Sequence, residues 1–267
     1  MPNPLPPTAR RPAVIGMLHV PALPGTPRHD LGLPAILERV AAEAAIYAEA
    51  GVDAVLLENM HDVPYLRGAV GPEITACMTA AAITARGAFA GPVGVQVLAG
   101  ANEAALAVAV AAGLAFVRVE GFVFGHVADE GWLDACAGPL LRERARLGAG
   151  HVAILADIKK KHAAHAATAD VPLADTARAA EFCGADGVIV SGPATAEPTD
   201  PGDVDLVRAA CGLPIVVGSG VTDENVGRFL AADAVIVGSA FKQEGHWSGP
   251  LEADRVLRFL ARLEAAG

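Results

Sequence analysis

Eight short apolar runs alternate with helical patterns along the chain, and this alternation restricts the fold more than any other feature of the sequence. The runs are rich in Val and Ile, as is typical of parallel strands covered on both faces. A segment with helical periodicity follows each run. The predicted strands are Ala13–His19, Val52–Asn59, Pro92–Leu98, Leu114–Glu120, His151–Ile158, Asp186–Ser191, Pro214–Val217 and Ala234–Val237. The pattern predicts an α/β fold, a (β/α)8 TIM barrel.

Glycine separates a predicted helix from the next strand at Gly51, Gly113 and Gly184. Joints of this kind are expected at the N-terminal face of such a barrel. An open, doubly wound sheet is the alternative, but it would carry a GxGxxG fingerprint after the first strand, and none follows His19. A length of 267 residues suits one barrel. We therefore predict a single barrel domain over residues 13–267 and a flexible N-terminal tail over residues 1–12.

The composition excludes several classes of partner. A formal charge of −10 and an aromatic content of 4% argue against a nucleic-acid partner. The longest apolar run, Ala104–Val117, is shorter than the roughly 20 residues of a membrane helix. The leader lacks the apolar segment of a signal peptide. The four cysteines are far apart, which favours free thiols in a reducing compartment. We expect a cytoplasmic protein without membrane insertion and, since many such barrels associate through their outer helices, a homo-oligomer.

The predicted strands have apolar bodies but polar ends. The strand-end residues are His19, Glu58, Asn59, Gln96, Arg118, Glu120, Asp157, Lys159 and Ser191. Catalytic groups of a barrel of this type lie at the C-terminal ends of the strands. Because burying an unpaired polar group is costly, each side chain must have a partner or open into a solvent-filled mouth.

Glu58 and Asp157 are the candidate general acid and base, and His19 is a candidate proton carrier at neutral pH. A structural ion pair with Arg118 is the alternative for Glu58. Lys159 lies two residues after Asp157, so the two share a strand face. We expect this pair to transfer a proton or anchor the substrate, with a Schiff base on Lys159 as an alternative.

Two glycine–serine turns follow the last two predicted strands, at Gly218-Ser219-Gly220 and at Gly238-Ser239. Backbone N–H groups in such turns favour an anion, and phosphate sites of barrels commonly form after strands seven and eight. The turns therefore predict a phosphate site, and ordinary tight turns are the alternative. Lys242 follows the second turn and is a candidate for added positive charge.

Three strand-end residues complete the predicted substrate site. Asn59 and Ser191 are candidate hydrogen-bonding groups, and Arg118 is a candidate clamp for a phosphate or carboxylate. The alternative for Arg118 is a structural ion pair with a neighbour such as Glu120.

His162 and His165 are weak candidates for a metal site. Their i,i+3 spacing would put both on one side of a helix, where they could bind a divalent metal together with Asp157. Because no clear third ligand accompanies them, we predict no cofactor and keep a divalent metal as an alternative.

Four stretches together resemble the BtpA family. They are Ile15–Gly25 (IGMLHVPALPG), Gly51–Asn59 (GVDAVLLEN), Ala156–His162 (ADIKKKH) and the Gly-Ser-Gly-Val-Thr stretch that begins at Gly218. The family is similar to the ribulose-phosphate-binding barrels, and the resemblance covers about residues 13–261. It implies a phosphate-bearing small molecule at the turns of residues 218–225 and 238–239. Members in photosynthetic bacteria are linked to photosystem I biogenesis, and others to sugar or nucleoside metabolism.

These observations lead to one main functional expectation and two alternatives. We expect an enzyme that acts by acid/base chemistry on a phosphorylated sugar-like or nucleotide-derived small molecule, as an isomerase, a lyase or an enzyme that cleaves a glycosidic bond. A non-catalytic assembly or biogenesis factor is the first alternative, and it would carry an exposed apolar patch. A metal-dependent hydrolase that uses His19, His162 and His165 is the second.

Overall fold

The computed structural model describes residues 12–160, 162–192 and 199–267, and eight parallel strands close into a barrel. The predicted tail lies outside the described residues except for Pro12. The strands are β1 (Ala13–His19), β2 (Ala54–Glu58), β3 (Val93–Gln96), β4 (Phe116–Val119), β5 (Ala153–Ile158), β6 (Gly187–Val190), β7 (Ile215–Val217) and β8 (Ala234–Val237). Each strand pairs with its neighbours in chain order, and β8 pairs with β1. The predicted fold class is confirmed.

Seven α-helices surround the barrel in the part of the chain that the structure describes. They are α1 (Leu33–Ala50), α2 (Pro72–Ala88), α3 (Asn102–Ala112), α4 (Ala137–Arg146), α5 (Leu173–Phe182), α6 (Pro201–Ala210) and α7 (Ala253–Ala266). The predicted glycine joints hold, since Gly51 and Gly113 end α1 and α3 with a left-handed φ of 75° and 64°.

The helical segment predicted to follow the seventh strand is wrong in type. Only a 3₁₀ turn, Val226–Phe229, follows β7. The side chain of Asn225 accepts from the amide of Thr222 at 2.8 Å and donates to the carbonyl of Gly220 at 2.8 Å. These bonds compete with helical hydrogen bonds in the segment where the helix would start.

Two apolar layers hold the barrel together. The inner layer fills the barrel with large side chains such as Ile15, Phe116 and Leu155, all fully buried. The outer layer lies between the strands and the helices. Gly94 makes room for Phe116, because a Cβ at position 94 would lie 2.2 Å from the Phe116 ring. Tyr47 of α1 donates a hydrogen bond to the Met17 carbonyl at 2.9 Å and so joins the first helix to the first strand.

A three-stranded antiparallel sheet covers part of the C-terminal end of the barrel. Its strands are His126–Ala128, Gly131–Leu133 and Ala163–Ala164. The sequence predicts a loop where the first two strands form a hairpin. The turn between them, Asp129 and Glu130, faces the mouth of the barrel.

Among the described residues, no helix is both long and apolar enough to cross a membrane. All four cysteines are free thiols, and Cys77 and Cys211 are buried while Cys136 and Cys183 are half-buried.

Candidate functional site

One cavity of about 490 Å³ opens at the C-terminal ends of the strands. Its volume is in the range of small-molecule sites. Both glycine–serine turns line it, at residues 218–220 and 238–239, together with His19, Glu58 and Arg118. The closed barrel therefore brings the predicted anion-binding turns and four of the predicted strand-end residues, the fourth being Glu120, to one cavity.

The glycines of the two turns allow close approach of the backbone to the catalytic candidates. A Cβ at Gly218 would lie 2.5 Å from Ile189 and 2.9 Å from the Ser191 hydroxyl. A Cβ at Gly238 would lie 3.3 Å from the His19 ring. Gly220 has a φ of 66°, which glycine adopts without strain. The turns therefore depend on glycine for their position.

His19 and Glu58 form a buried pair on the first two strands. The two residues are register partners, and the His19 Nε2 atom lies 3.7 Å from the Glu58 carboxylate. The other ring nitrogen of His19, Nδ1, lies 2.9 Å from the carbonyl of Trp247. Because a carbonyl only accepts, Nδ1 carries a proton, and Nε2 is the nitrogen that faces Glu58.

Arg118 holds Asp157 rather than Glu58. Its Nε and Nη2 atoms donate to the two carboxylate oxygens of Asp157 at 2.8 and 3.1 Å, and Ser191 donates to the same carboxylate at 3.4 Å. Burial alone would lower the pKa of Arg118, but the Asp157 carboxylate outweighs it and raises that pKa. Asp157 therefore orients the guanidinium of Arg118, which lines the cavity.

Lys160 of the basic run lines the cavity, and it donates to Glu120 at 3.0 Å. The second Glu120 oxygen accepts from Gln96 at 3.1 Å. Burial raises the pKa of Glu120, against the opposing effect of Lys160. Burial also acts to lower the pKa of Lys160, but Glu120 outweighs it and the net shift is upward.

Lys159 points elsewhere. It has a φ of 50°, and its ammonium donates to the Thr168 carbonyl at 2.9 Å. It lines a separate cavity of about 20 Å³ with Asp157 and His165. The sequence analysis assigned the ammonium of the site to Lys159, and the strand-end position of Lys159 gave no sign that the backbone turns there.

Two predicted substrate-binding residues have structural partners. Asn59 donates to Asp62 at 2.8 Å and accepts from the Leu98 amide at 2.7 Å. Lys242 is fully buried, and its ammonium contacts both carboxylate oxygens of Glu43 on α1 at 2.8 and 2.7 Å. Burial lowers the pKa of Lys242 despite this carboxylate. Neither residue is among those that line the main cavity.

The structure separates the candidate metal ligands. His162 lines the main cavity, whereas His165 lies in the small one and donates to the Lys160 carbonyl at 2.9 Å. Within residues 12–160, 162–192 and 199–267, no group of three or more His, Cys, Asp or Glu side chains is arranged to hold a metal ion.

Sequence reasoning missed an acidic side of the cavity. Tyr65, Asp129 and Glu130 line it along with Glu58 and Glu120. Burial and the charges of Glu58 and Glu120 raise the pKa of Tyr65, so these carboxylates lie around its phenol. Asp129 and Glu130 come from the hairpin turn, whose only sequence signal is the acidic pair before Gly131.

Two histidines beside the cavity have lowered basicity. Burial is the main cause that lowers the pKa of His126 to about 4, with a contribution from Lys160. Burial and the neighbouring His19 lower the pKa of His61 to about 4. His61 packs against Trp247, with the ring centroids 4.8 Å apart.

Comparison with known proteins identifies the family. The model of the BtpA family matches residues 10–265. The chain belongs to the BtpA family. An uncharacterized mitochondrial protein of Caenorhabditis elegans is 48% identical over 255 residues, which cover 94% of this chain and 92% of that protein. The photosystem I biogenesis protein BtpA of Synechocystis is 36% identical over 249 residues, which cover 92% of this chain and 86% of that protein.

Solved structures share the barrel of this BtpA-family chain at low sequence identity. (S)-3-O-geranylgeranylglyceryl phosphate synthase from Thermoplasma acidophilum, solved with sn-glycerol-1-phosphate, has a TM-score of 0.60 and 13% identity, covering 96% of this chain and 94% of that one. Orotidine 5'-monophosphate decarboxylase from Methanocaldococcus jannaschii has a TM-score of 0.59 and 13% identity, covering 95% and 99%. At this identity the likeness establishes the fold.

Proposed function

We propose that this chain is an enzyme that transfers protons on a phosphorylated small molecule. One observation carries the proposal: the two glycine–serine turns and the buried His19–Glu58 pair line the same cavity. A ligand held by its phosphate at the turns would have its remaining atoms beside a histidine and a carboxylate. Isomerisation, elimination and glycosidic cleavage all need such groups.

The turns of β7 and β8 are the proposed phosphate site. They place backbone and small side chains on the cavity wall at the strand ends, where barrels commonly bind phosphate. The neighbouring barrels named above are called after phosphorylated compounds, and one was solved with sn-glycerol-1-phosphate. That chemistry supports a phosphate ester as ligand.

His19 and Glu58 are the proposed proton-transfer pair. The Trp247 carbonyl fixes the ring orientation of His19, so Nε2 faces Glu58 and the cavity. A proton held between Nε2 and the carboxylate can be given to a ligand atom or taken from one. In this proposal Asp157 orients Arg118, and Lys160 supplies the ammonium that Lys159 was predicted to supply.

The phosphate site is tested with inorganic phosphate. We expect phosphate to bind the wild-type chain in calorimetry, and Ser239→Asp to weaken that binding by at least about tenfold, because a negative charge in the turn repels the anion. Ser248→Asp is the matched control, since Ser248 is exposed and does not line the cavity. Equal affinity in both variants would place phosphate elsewhere.

The proton-transfer pair is tested by turnover of a panel of phosphate esters. We expect His19→Gln and Glu58→Gln to bind inorganic phosphate as the wild type does, but to lower turnover by at least about 100-fold. Full turnover by either variant would exclude that side chain from the chemistry.

A second candidate function is that of a non-catalytic assembly or biogenesis factor, as the name of the Synechocystis photosystem I biogenesis protein suggests. One structural observation favours it. Val127 and Trp132 are partners across the hairpin and are 44% and 42% exposed. Complementation of a cyanobacterial strain that lacks the relative distinguishes the enzyme from the assembly factor. Rescue by Glu58→Gln but not by Trp132→Lys would favour the assembly factor.

A further inference from the structure

Negative charge dominates the cavity wall across from the turns. In the closed barrel β4 lies across from β8, so Glu120 and the hairpin face the glycine–serine turns. The lining carboxylates on this side are Glu58, Glu120, Asp129 and Glu130, against the two cations Arg118 and Lys160, whereas Asp223, Glu224 and Arg255 line the cavity on the side of the turns.

Both cations are already neutralised. Asp157 binds Arg118 in a two-point contact, and Glu120 binds Lys160. His19 offsets Glu58 only when its ring is protonated. The charges of Asp129 and Glu130 therefore remain in excess on this wall.

Glu130 carries a carboxylate oxygen that can accept a hydrogen bond from a ligand. Its Oε2 atom is buried and has no hydrogen-bond partner among the described residues. An acceptor buried without a donor costs free energy. The hairpin that carries it is held by pairing with Ala163–Ala164 and by a hydrogen bond of 3.3 Å from Arg67 to the Trp132 carbonyl. The turn therefore presents Glu130 at a defined place in the cavity wall, which Lys160 and Tyr65 also line.

We infer that the ligand carries hydrogen-bond donors and no second negative charge at its non-phosphate end, and that Glu130 favours binding of such ligands over ligands with a second negative charge. This inference rests on the proposed phosphate site. A hydroxyl-bearing or amine-bearing end would donate to the carboxylates of the wall. A carboxylate or second phosphate would meet like charges, and like-charge contacts are strongly unfavourable.

Four phosphate compounds test the inference by calorimetry on the full chain. They are inorganic phosphate, ribose 5-phosphate with a neutral hydroxyl end, phosphoethanolamine with a cationic end, and 3-phosphoglycerate with an anionic end. We expect ribose 5-phosphate or phosphoethanolamine to bind at least about tenfold more tightly than 3-phosphoglycerate. The affinities of ribose 5-phosphate and phosphoethanolamine, compared with each other, show whether the wall prefers hydroxyl donors or an amine.

Glu130→Gln tests the residue itself. Ribose 5-phosphate and phosphoethanolamine are expected to bind more tightly than 3-phosphoglycerate, and we expect Glu130→Gln to reduce this ratio of affinities by about fivefold or more, because the variant removes one negative charge of the wall. The affinity for inorganic phosphate should stay the same. Glu49→Gln makes the same change on the exposed side of α1 and is the matched control. It should leave all four affinities unaltered.

The outcomes separate the two proposals. If inorganic phosphate and all three esters fail to bind, the phosphate site is wrong and the inference falls with it. If phosphate binds but 3-phosphoglycerate binds as tightly as the other esters, only the inference is overturned. A Glu130→Gln variant that changes all four affinities equally would overturn the selective role of Glu130.

Discussion

Arg118 binds Asp157 through two parallel hydrogen bonds of 2.8 and 3.1 Å, and both side chains are buried. The pair joins β4 to β5 beside the cavity floor. A guanidinium held in this way has a fixed orientation, because its planar fork matches the carboxylate at two points. The Asp157 contact therefore also fixes the directions in which the remaining N–H groups of Arg118 point.

Removing the charge of Asp157 should destabilise the chain. We expect Asp157→Asn to lower the free energy of unfolding by about 3–5 kcal/mol, because it leaves a buried guanidinium without its counter-charge. Urea denaturation measures the difference. Asp175→Asn is the control, since Asp175 pairs with Arg178 on an exposed face of α5 and should cost less than about 1 kcal/mol. A loss below 1 kcal/mol at Asp157 would contradict a desolvated ion pair.

His126 should make stability depend on pH below neutrality. Its pKa is about 4 in the folded chain, against an ordinary 6.5, and the groups near it are Lys160, His165 and Asp157. Between these values the unfolded chain binds a proton that the folded chain does not, so stability falls as the pH drops from 6.5 to 4. The contribution, up to about 3 kcal/mol, is fully present above pH 6.5.

The measurement is the free energy of unfolding against pH for His126→Gln and for the wild type. The wild type should lose more stability than the variant between pH 6.5 and 4. His151→Gln is the control because His151 is exposed. Parallel curves for the wild type and His126→Gln would mean that the pKa of His126 is the same in the folded and unfolded chains.

Lys242 and Lys159 should differ sharply in their effect on stability. Lys242→Met removes the cation of a buried pair with Glu43, and we expect a loss of about 3 kcal/mol or more. Lys159→Met removes a half-buried ammonium whose partners are Thr168 oxygen atoms, and we expect about 1 kcal/mol. Thermal and urea unfolding of the two variants gives the comparison, and a reversed order would refute it.

Gly218 should tolerate no side chain. A methyl group there would overlap Ile189 and the Ser191 hydroxyl, so Gly218→Ala must shift the turn. We expect a loss of about 1–3 kcal/mol in stability and a clear loss of phosphate affinity. Gly227→Ala is the control, since its Cβ would meet Ala266 at an ordinary 3.4 Å. Unchanged phosphate binding by Gly218→Ala would remove the turn from the proposed site.

The sequence predicted the barrel because the strand bodies are continuous apolar runs and glycine ends the helices between them. The same reading located the cavity, since parallel strands bring their C-terminal ends to one face. His19, Glu58 and Arg118 line that cavity as their positions predicted. The relevance of these residues to catalysis, a cytoplasmic location and a homo-oligomer stay predictions.

The strand alternation in the sequence could not predict where the side chains of the residues that follow β5 point. Strand alternation places Lys159 on the face of Asp157, but the backbone reaches a φ of 50° at Lys159 and sends Lys160 to the cavity instead. The choice of Asp157 over Glu58 as partner of Arg118 depends on which strands lie side by side, and β4 is next to β5. Contacts of this kind come from the closed barrel and not from local spacing.

The Lys242–Glu43 contact joins residues 199 positions apart in the chain, across the line where β8 meets β1. Bringing such distant segments together costs more chain entropy than any neighbouring β/α pairing, although the cost grows only slowly with length. The contact forms only once the last strand has docked on the first. This ion pair therefore reports on closure of the ring, because it can form only where the two ends of the sheet lie side by side.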